Sequence, residues 1–406
     1  MARTGLVVAG AGARGAYEAG ALTELLPRLT RRWSAPRVLL GTSAGALNVA
    51  GLAGLTGHDP GAAAAELVAR WESVHTDEVI GLTSSAVYGA SAYAGDVLGV
   101  PPALRRAVGL PDRLTRLLDA DRLRPVVDRV VDWERLHDAV DRGDLDAVGV
   151  ATTSADTGGT VVFTEVAPGV ALPPYDPGRD IHYVATRLTA EHLLASAAVP
   201  VLFAPVHVSG PGEGWYLDGG VRLNTPLKPA LRLGCDRVGV VATTPAEPDR
   251  PGPGDPAEPV PDVYSVAALA LRIVLGAGVT EDLRTLRAVN ALVEEGADTR
   301  HGRVGTWFAG PPAGRSTELA ELAARVRRTE YGGLRALRNP SLFVLERLLG
   351  GALPDGRPGD HAELLSFLFF DPAFARAAAG LGATHAAAAT RPDGKREHRA
   401  AARASR

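Results

Sequence analysis

The chain has 406 residues, a formal net charge of −3 at pH 7, 46% hydrophobic and 22% charged residues, the profile of a globular protein long enough to bury a sizeable core. That charge leaves no electrostatic footprint for nucleic acid as a partner. The single cysteine, Cys235, excludes an intrachain disulfide and a cysteine-based metal cluster and fits a reducing compartment.

Residues 5–9 form a short apolar run suited to a parallel strand buried on both faces. With the glycines and alanines that follow, the run resembles a signal-peptide core, but Arg14 interrupts it before any cleavage-type site. From Ala16 onward, Tyr17, Leu22, Leu25, Leu26 and Leu29 recur at helical spacing to about Arg32. A second strand at 38–40 and a second helix at 44–54 complete a β-turn-α-β-turn-α opening, the start of an α/β fold. Residues 60–142 read as mostly helical, broken at Pro60, Gly81, residues 99–102 and Pro111. Arg105, Arg106, Arg113 and Arg116 lie among leucines there, either as a basic face for an anionic lipid surface or as the wet side of an ordinary surface helix.

Strands are expected at 146–153 and 160–165, joined by a hairpin turn, and again at 201–208, 215–217 and 237–242. Residues 168–180 form a proline-rich loop, and helices are expected at 189–198 and 227–233. Prolines then crowd residues 245–261, which can be neither helix nor central strand and read as a solvated linker. Beyond it the spacing predicts helices at 263–295, 317–337, 342–349, 361–369 and 372–381, with one strand-like piece at 303–308. The Ala- and Arg-rich residues from about 383 to 406 are expected to be a disordered basic tail. No apolar stretch reaches the ~18 residues that span a bilayer; the longest, 266–279, contains Arg272. A cytoplasmic location is expected, with peripheral contact with a membrane surface left open.

Three stretches carry chemistry. Gly41-Thr42-Ser43-Ala44-Gly45 ends an apolar strand and opens a helix, as a nucleophile elbow does, with glycines where a tight turn crowds Cβ atoms. The alternative is a plain strand-to-helix turn with Ser43 as its cap. Gly10-Ala11-Gly12-Ala13-Arg14-Gly15 is a glycine-rich turn whose amides can converge on one point, with Arg14 adding positive charge nearby. Alone it also matches the dinucleotide fingerprint, which needs an acidic residue at the end of the second strand. Here that strand ends in Leu40-Gly41-Thr42-Ser43. The third stretch, Trp215-Tyr216-Leu217-Asp218-Gly219-Gly220, places a carboxylate at a strand end with little bulk around it. All three fall at strand ends, where open α/β sheets build sites. His301 and His361 follow Asp218, so chain order also permits a histidine triad, but no downstream histidine sits in a glycine-marked loop at a strand end. His182, His192 and His207 read as surface or core residues, and no histidine pair has metal-ligand spacing.

Taken in order, GAGARGAYEAG at 10–20, GTSAGALN at 41–48, ASAAVPVLFAPV at 195–206 and YLDGGVRLNTPL at 216–227 resemble the motifs of the patatin-like phospholipases, serine lipid-acyl hydrolases. The resemblance covers residues 5–243 as a catalytic domain. It implies a three-layer α/β fold with a central, mainly parallel sheet between helices. A linker at 244–262 and a mainly helical C-terminal region at 263–382 would follow. It further implies a Ser-Asp dyad, with Ser43 as nucleophile and Asp218 as the direct proton acceptor. Gly10, Ala11, Gly12 and Arg14 match the family's oxyanion loop; Gly15, Gly41, Gly45, Gly219 and Gly220 match its loop and elbow glycines. The implied partner is a lipid or fatty-acyl ester, with no cofactor and no metal. Ala11 stands where the family commonly has glycine, so its methyl bears on which acyl groups approach. Ser196 and Pro200 read as a helix-to-strand corner, and Asn224 as a residue that holds the aspartate loop by side-chain hydrogen bonds. A catalytically silent lipid- or protein-binding descendant of the same fold is the remaining alternative.

Overall fold

The computed structural model describes residues 2–79, 101, 104, 120–200, 202–247, 263–294, 302–332 and 358–389. An interior strand of its sheet is β1 (Thr4–Val8), buried along its whole length. A strand with no polar face is stable only between two layers, and the alternation of side chains decides what each residue meets. Leu6 and Val8 enter the core formed with α1 (Gly15–Arg32), β2 (Val38–Thr42), α2 (Ala44–Ala53) and α3 (Pro60–Glu72). Val7 and Ala9 face the other way, into a second core.

After the short α4 (Thr76–Val79), the described chain continues with α5 (Arg124–Val130) and α6 (Trp133–Asp141). Next come β3 (Ala147–Ser154), β4 (Thr160–Val166), β5 (Ile181–Ala185), α7 (Ala190–Ser196), β6 (Val206–Val208) and β7 (Gly214–Asp218). The short α8 (Gly220–Leu223), α9 (Leu227–Arg232), β8 (Arg237–Val241), α10 (Val263–Glu294) and β9 (Gly305–Ala309) follow. Helices α11 (Glu318–Tyr331), α12 (Pro358–Leu368) and α13 (Pro372–Ala388) close the described chain. Leu227 and Ala230 of α9 and Leu283 and Leu286 of α10 supply the second core.

The strand order is β5-β4-β3-β2-β1-β8-β9, with β7 beside β3 and β6 beside β7. The run from β3 through β2, β1 and β8 to β9 is parallel. The β3–β4, β3–β7 and β6–β7 pairs are antiparallel. This is the mainly parallel, helix-flanked sheet that the sequence predicts.

One register detail positions everything that follows. Strand β2 pairs with Ala147 to Ala151 and stops at Thr42, which lies opposite Ala151. Strand β7 then takes over the same edge of β3, and Asp218 lies opposite Thr152. Neighbouring residues of β3 thus carry the ends of two strands that are remote in sequence.

Several expectations change. The strand-like piece expected at 303–308 is β9 (Gly305–Ala309), and it joins the sheet beside β8. Residues 383–388, expected in a disordered tail, complete α13, where His385 and Ala386 are buried. Tyr17 shares a 2.9 Å hydrogen bond with His385 Nδ1, and the backbones of α1 and α13 meet where Gly20 and Gly382 have no Cβ. The apolar spacing was present to about residue 381, but the alanines beyond it gave no period to follow. Strand β5 and helix α8 have no counterpart among the expectations. The strand expected at 201–208 shortens to Val206–Val208. The Arg-rich stretch (apart from exposed Leu104), the proline-rich stretch from 248 and the helix expected at 342–349 lie outside the described residues. Among the described residues no single helix is long and apolar enough to cross a membrane. The apolar pair formed by α12 and α13 is bent by 100°, and Asp371 caps the second helix by accepting from the amides of Ala373 and Phe374.

Candidate active site

Ser43 sits at the turn between β2 and α2 with φ 53° and ψ −124°, a backbone conformation that serine rarely adopts. Strain of this kind costs about 1–3 kcal/mol and persists only where the surroundings over-determine it. Here they do. The Ser43 N–H donates to Ser196 Oγ at 2.8 Å, and that hydroxyl donates to the Ala151 carbonyl at 2.6 Å. The Ser43 carbonyl accepts from Leu47 in the first turn of α2, and Thr42 Oγ1 donates to the Leu223 carbonyl at 2.9 Å. A Cβ on Gly45 would collide with the Val8 and Ala9 carbonyls, and one on Gly41 with the backbone of Gly45, so only glycine lets the elbow lie against β1. The result is a nearly buried serine whose side chain lines an open pocket.

Asp218 ends β7 next to it. Its backbone is held on both sides: its N–H donates to the Ala198 carbonyl, and its carbonyl accepts from Thr153 Oγ1, both at 2.9 Å. A Cβ on Gly219 would strike the Ala151 carbonyl, which keeps this turn flush with β3. Oδ1 accepts from the Gly220 N–H at 2.6 Å, while buried Oδ2 makes no hydrogen bond. Burial raises the carboxyl to about 6; the Gly220 amide and the nearby Ser43 hydroxyl pull it the other way without cancelling the effect. One oxygen is therefore anchored by an amide, the other has no hydrogen-bond partner, and the carboxyl as a whole lies within reach of the Ser43 hydroxyl.

The glycine-rich turn is closest to the site at Gly12, which lines the same pocket. Its φ of +55° suits glycine, and a Cβ there would lie 2.5 Å from the Phe367 carbonyl. Two members of this turn serve other purposes than those expected. The Gly10 N–H is shared between the Asn224 backbone carbonyl and Asn224 Oδ1, both at 3.1 Å, and Asn224 Nδ2 returns a bond to the Gly10 carbonyl. Its amide is thus turned to the aspartate loop. The Arg14 N–H closes the 3-10 turn onto the Ala11 carbonyl, and its guanidinium is buried against α12. Ala11 has φ −147°, which an L-residue accepts, and its methyl lies in the core, outside the pocket lining. It does not narrow the approach. Gly15 sits under the Trp71 ring, where a Cβ would collide.

Two amide sources remain at the pocket. The first intrahelical bonds of the 3-10 turn and of α2 begin later in each element, so Gly12 and Ala44 have no intrahelical acceptor for their N–H groups. Both residues line the pocket with Ser43 and Asp218. The rest of the wall is Leu47, Trp71, Val79, Leu123, Val126, Val127, Leu193, Leu194, Ala197, Val199, Leu202, Phe203 and, from the C-terminal region, Phe367, Leu368 and Phe370. The cleft, with its open mouth included, encloses about 880 Å³ of non-atom space. Trp71 is fixed from behind by its 2.6 Å bond to Asn48 Oδ1.

Among the described residues no histidine lines the pocket. His192 closes the first turn of α7 by accepting from the Thr189 N–H, and burial lowers its pKa to about 4. His182 and His207 face surface carboxylates. Nor do the described residues contain a cluster of three potential metal ligands. Sequence reasoning undervalued Ser196: the only signal was a small polar residue at a corner, and its role depends on a strand from another part of the chain.

A family model described as patatin-like phospholipase matches residues 6–231. Among solved structures, the chain is similar to VipD from Legionella pneumophila, at 13% identity and a TM-score of 0.30, over 77% of this chain and 62% of that one. The chain thus spans less than two thirds of that protein's length. No curated protein matches it.

Proposed function

The chain belongs to the patatin-like phospholipase family, which implies lipid acyl hydrolase activity, and from that premise we propose that it cleaves fatty-acyl esters through an acyl-enzyme on Ser43 with Asp218 as the only general base. The observation that carries this reading is the buried Asp218 carboxyl, with one oxygen unpartnered, within reach of the hydroxyl of a strained serine. Ser43 Oγ attacks the ester carbonyl carbon as its proton passes to Oδ2. The tetrahedral oxyanion is met by the Gly12 and Ala44 amides. Collapse breaks the bond to the alkoxide, which leaves with the proton from Asp218. Water then attacks the acyl-enzyme, Asp218 takes its proton, and the free acid departs as Ser43 recovers its hydrogen.

The apolar wall supports an acyl chain as the group bound. A methylene moved from water into such a wall contributes about 0.8 kcal/mol, or up to about fourfold in kcat/KM per carbon. With p-nitrophenyl esters of increasing chain length, kcat/KM is expected to climb steeply from acetate to at least octanoate. A flat profile in folded protein would contradict an acyl site in this cleft.

A further inference from the structure

Among the described residues, the C-terminal region reaches the glycine-rich turn through α12. The guanidinium of Arg14, 1% exposed, does not point at the pocket. Its Nη2 pairs with Glu363 Oε1 at 2.8 Å and lies 3.5 Å from the Glu363 carbonyl. Nε and Nη2 both donate to Ser366 Oγ, at 2.9 and 2.5 Å, and that hydroxyl in turn donates a hydrogen bond to the Glu363 carbonyl at 2.6 Å. The guanidinium carbon stands 3.8 Å over the Phe367 ring. The next contact is at the pocket itself, where the Phe367 carbonyl fills the space a Gly12 side chain would need. One turn of α12 therefore grips the oxyanion turn at two points: through Arg14 behind it and against Gly12 at its tip.

We propose that Glu363 and Ser366 are positioning residues of the oxyanion turn, acting through Arg14. Helix α12 is then a fixed strut of the catalytic unit rather than a lid. The inference rests on the reading of Ser43 and Gly12 given above. Its physical reason is preorganisation: amides stabilise an oxyanion only if they are already aimed where charge develops, and a misplacement near 1 Å costs about 10²-fold. A 3-10 turn of three residues with glycine at its tip has little stiffness of its own. A buried arginine held by a carboxylate, a hydroxyl and a ring supplies that stiffness from outside.

The test uses the full-length protein and its variants Glu363→Ala, Glu363→Gln, Ser366→Ala, Arg14→Met and the Arg14→Met/Glu363→Ala pair. Activity on p-nitrophenyl octanoate is read alongside the affinities for a trifluoromethyl ketone, which forms the tetrahedral adduct, and for octanoate. Glu363→Ala is expected to lower kcat about 10- to 100-fold with KM within threefold, and to weaken the ketone by a similar factor while octanoate binding holds. Glu363→Gln keeps the acceptor oxygen and recovers most of the loss. Ser366→Ala gives a smaller drop of the same kind, and is the decisive variant should Glu363→Ala not fold. The double variant is no worse than Arg14→Met, because both act through one contact. A folded Glu363→Ala or Ser366→Ala with unchanged kcat, a loss confined to KM, or additive losses in the pair would overturn the strut while leaving the Ser43 reading intact. A wild-type protein without Ser43-dependent hydrolysis would overturn both.

Discussion

Asp218→Asn is expected to lower kcat/KM by about 10³- to 10⁴-fold, the upper range for a general base, and to make the protein more stable at neutral pH. Both effects come from the same burial. The asparagine carbonyl can still accept the Gly220 amide, so the loop keeps its anchor, but no oxygen remains that can take the Ser43 proton. Wild-type Asp218 ionises near 6 in the folded chain, raised by burial from 3.8. The folded state therefore holds this proton to higher pH than the unfolded state does. Stability from this group falls as pH rises from about 4 to 6, and a penalty of roughly 3 kcal/mol persists above that window. The asparagine variant has no such penalty. Its thermal midpoint should exceed that of wild type at pH 7.5 and match it near pH 4. Wild-type kcat/KM should fall with acid, to half near pH 6, because only the carboxylate accepts a proton. Loss of activity without the gain in stability would mean that Asp218 is not a buried, ionised base.

Ser43→Ala is expected to remove ester hydrolysis by about 10⁵- to 10⁶-fold, the scale seen when a nucleophile that acts as part of a unit is lost, without unfolding the protein. The bonds that hold the elbow use the backbone of residue 43, not its side chain: its N–H goes to Ser196 and its carbonyl accepts from Leu47. Alanine keeps both. It also keeps the unfavourable φ, so the variant should show wild-type circular dichroism and a similar melting midpoint. A folded Ser43→Ala that hydrolyses p-nitrophenyl octanoate at the wild-type rate would exclude the acyl-enzyme route.

The elbow, the glycine turn and the aspartate were legible because each is a local problem. A serine at a positive φ flanked by glycines, or an aspartate followed by glycines at a strand end, leaves a short signature. Why they meet was not legible. That depends on Thr42 and Asp218 pairing with successive residues of β3, and alternation of side chains announces a strand without naming its neighbour. The same limit hid the place of β9 in the sheet. Gly10 and Arg14 show the cost of reading a motif as a list of donors: sequence places them in the right turn, while Asn224 and Glu363, each far along the chain, decide where their N–H groups point. Ser196 is the converse, an unremarkable corner residue whose hydroxyl supports the Ser43 backbone through a bond to β3. Helix α13 outran its expected end because alanines carry no periodic signal, although Gly382 within it lies directly against the Tyr17 carbonyl.

The central claim, that Ser43 is a nucleophile activated by Asp218, is tested most directly by mass spectrometry of the intact and digested protein after reaction with a fluorophosphonate at pH 8. One adduct per chain is expected, on the peptide bearing Ser43, absent in Ser43→Ala and formed at least 10²-fold more slowly in Asp218→Asn. No adduct on folded protein, an adduct on another residue, or labelling of Asp218→Asn at the wild-type rate would contradict it.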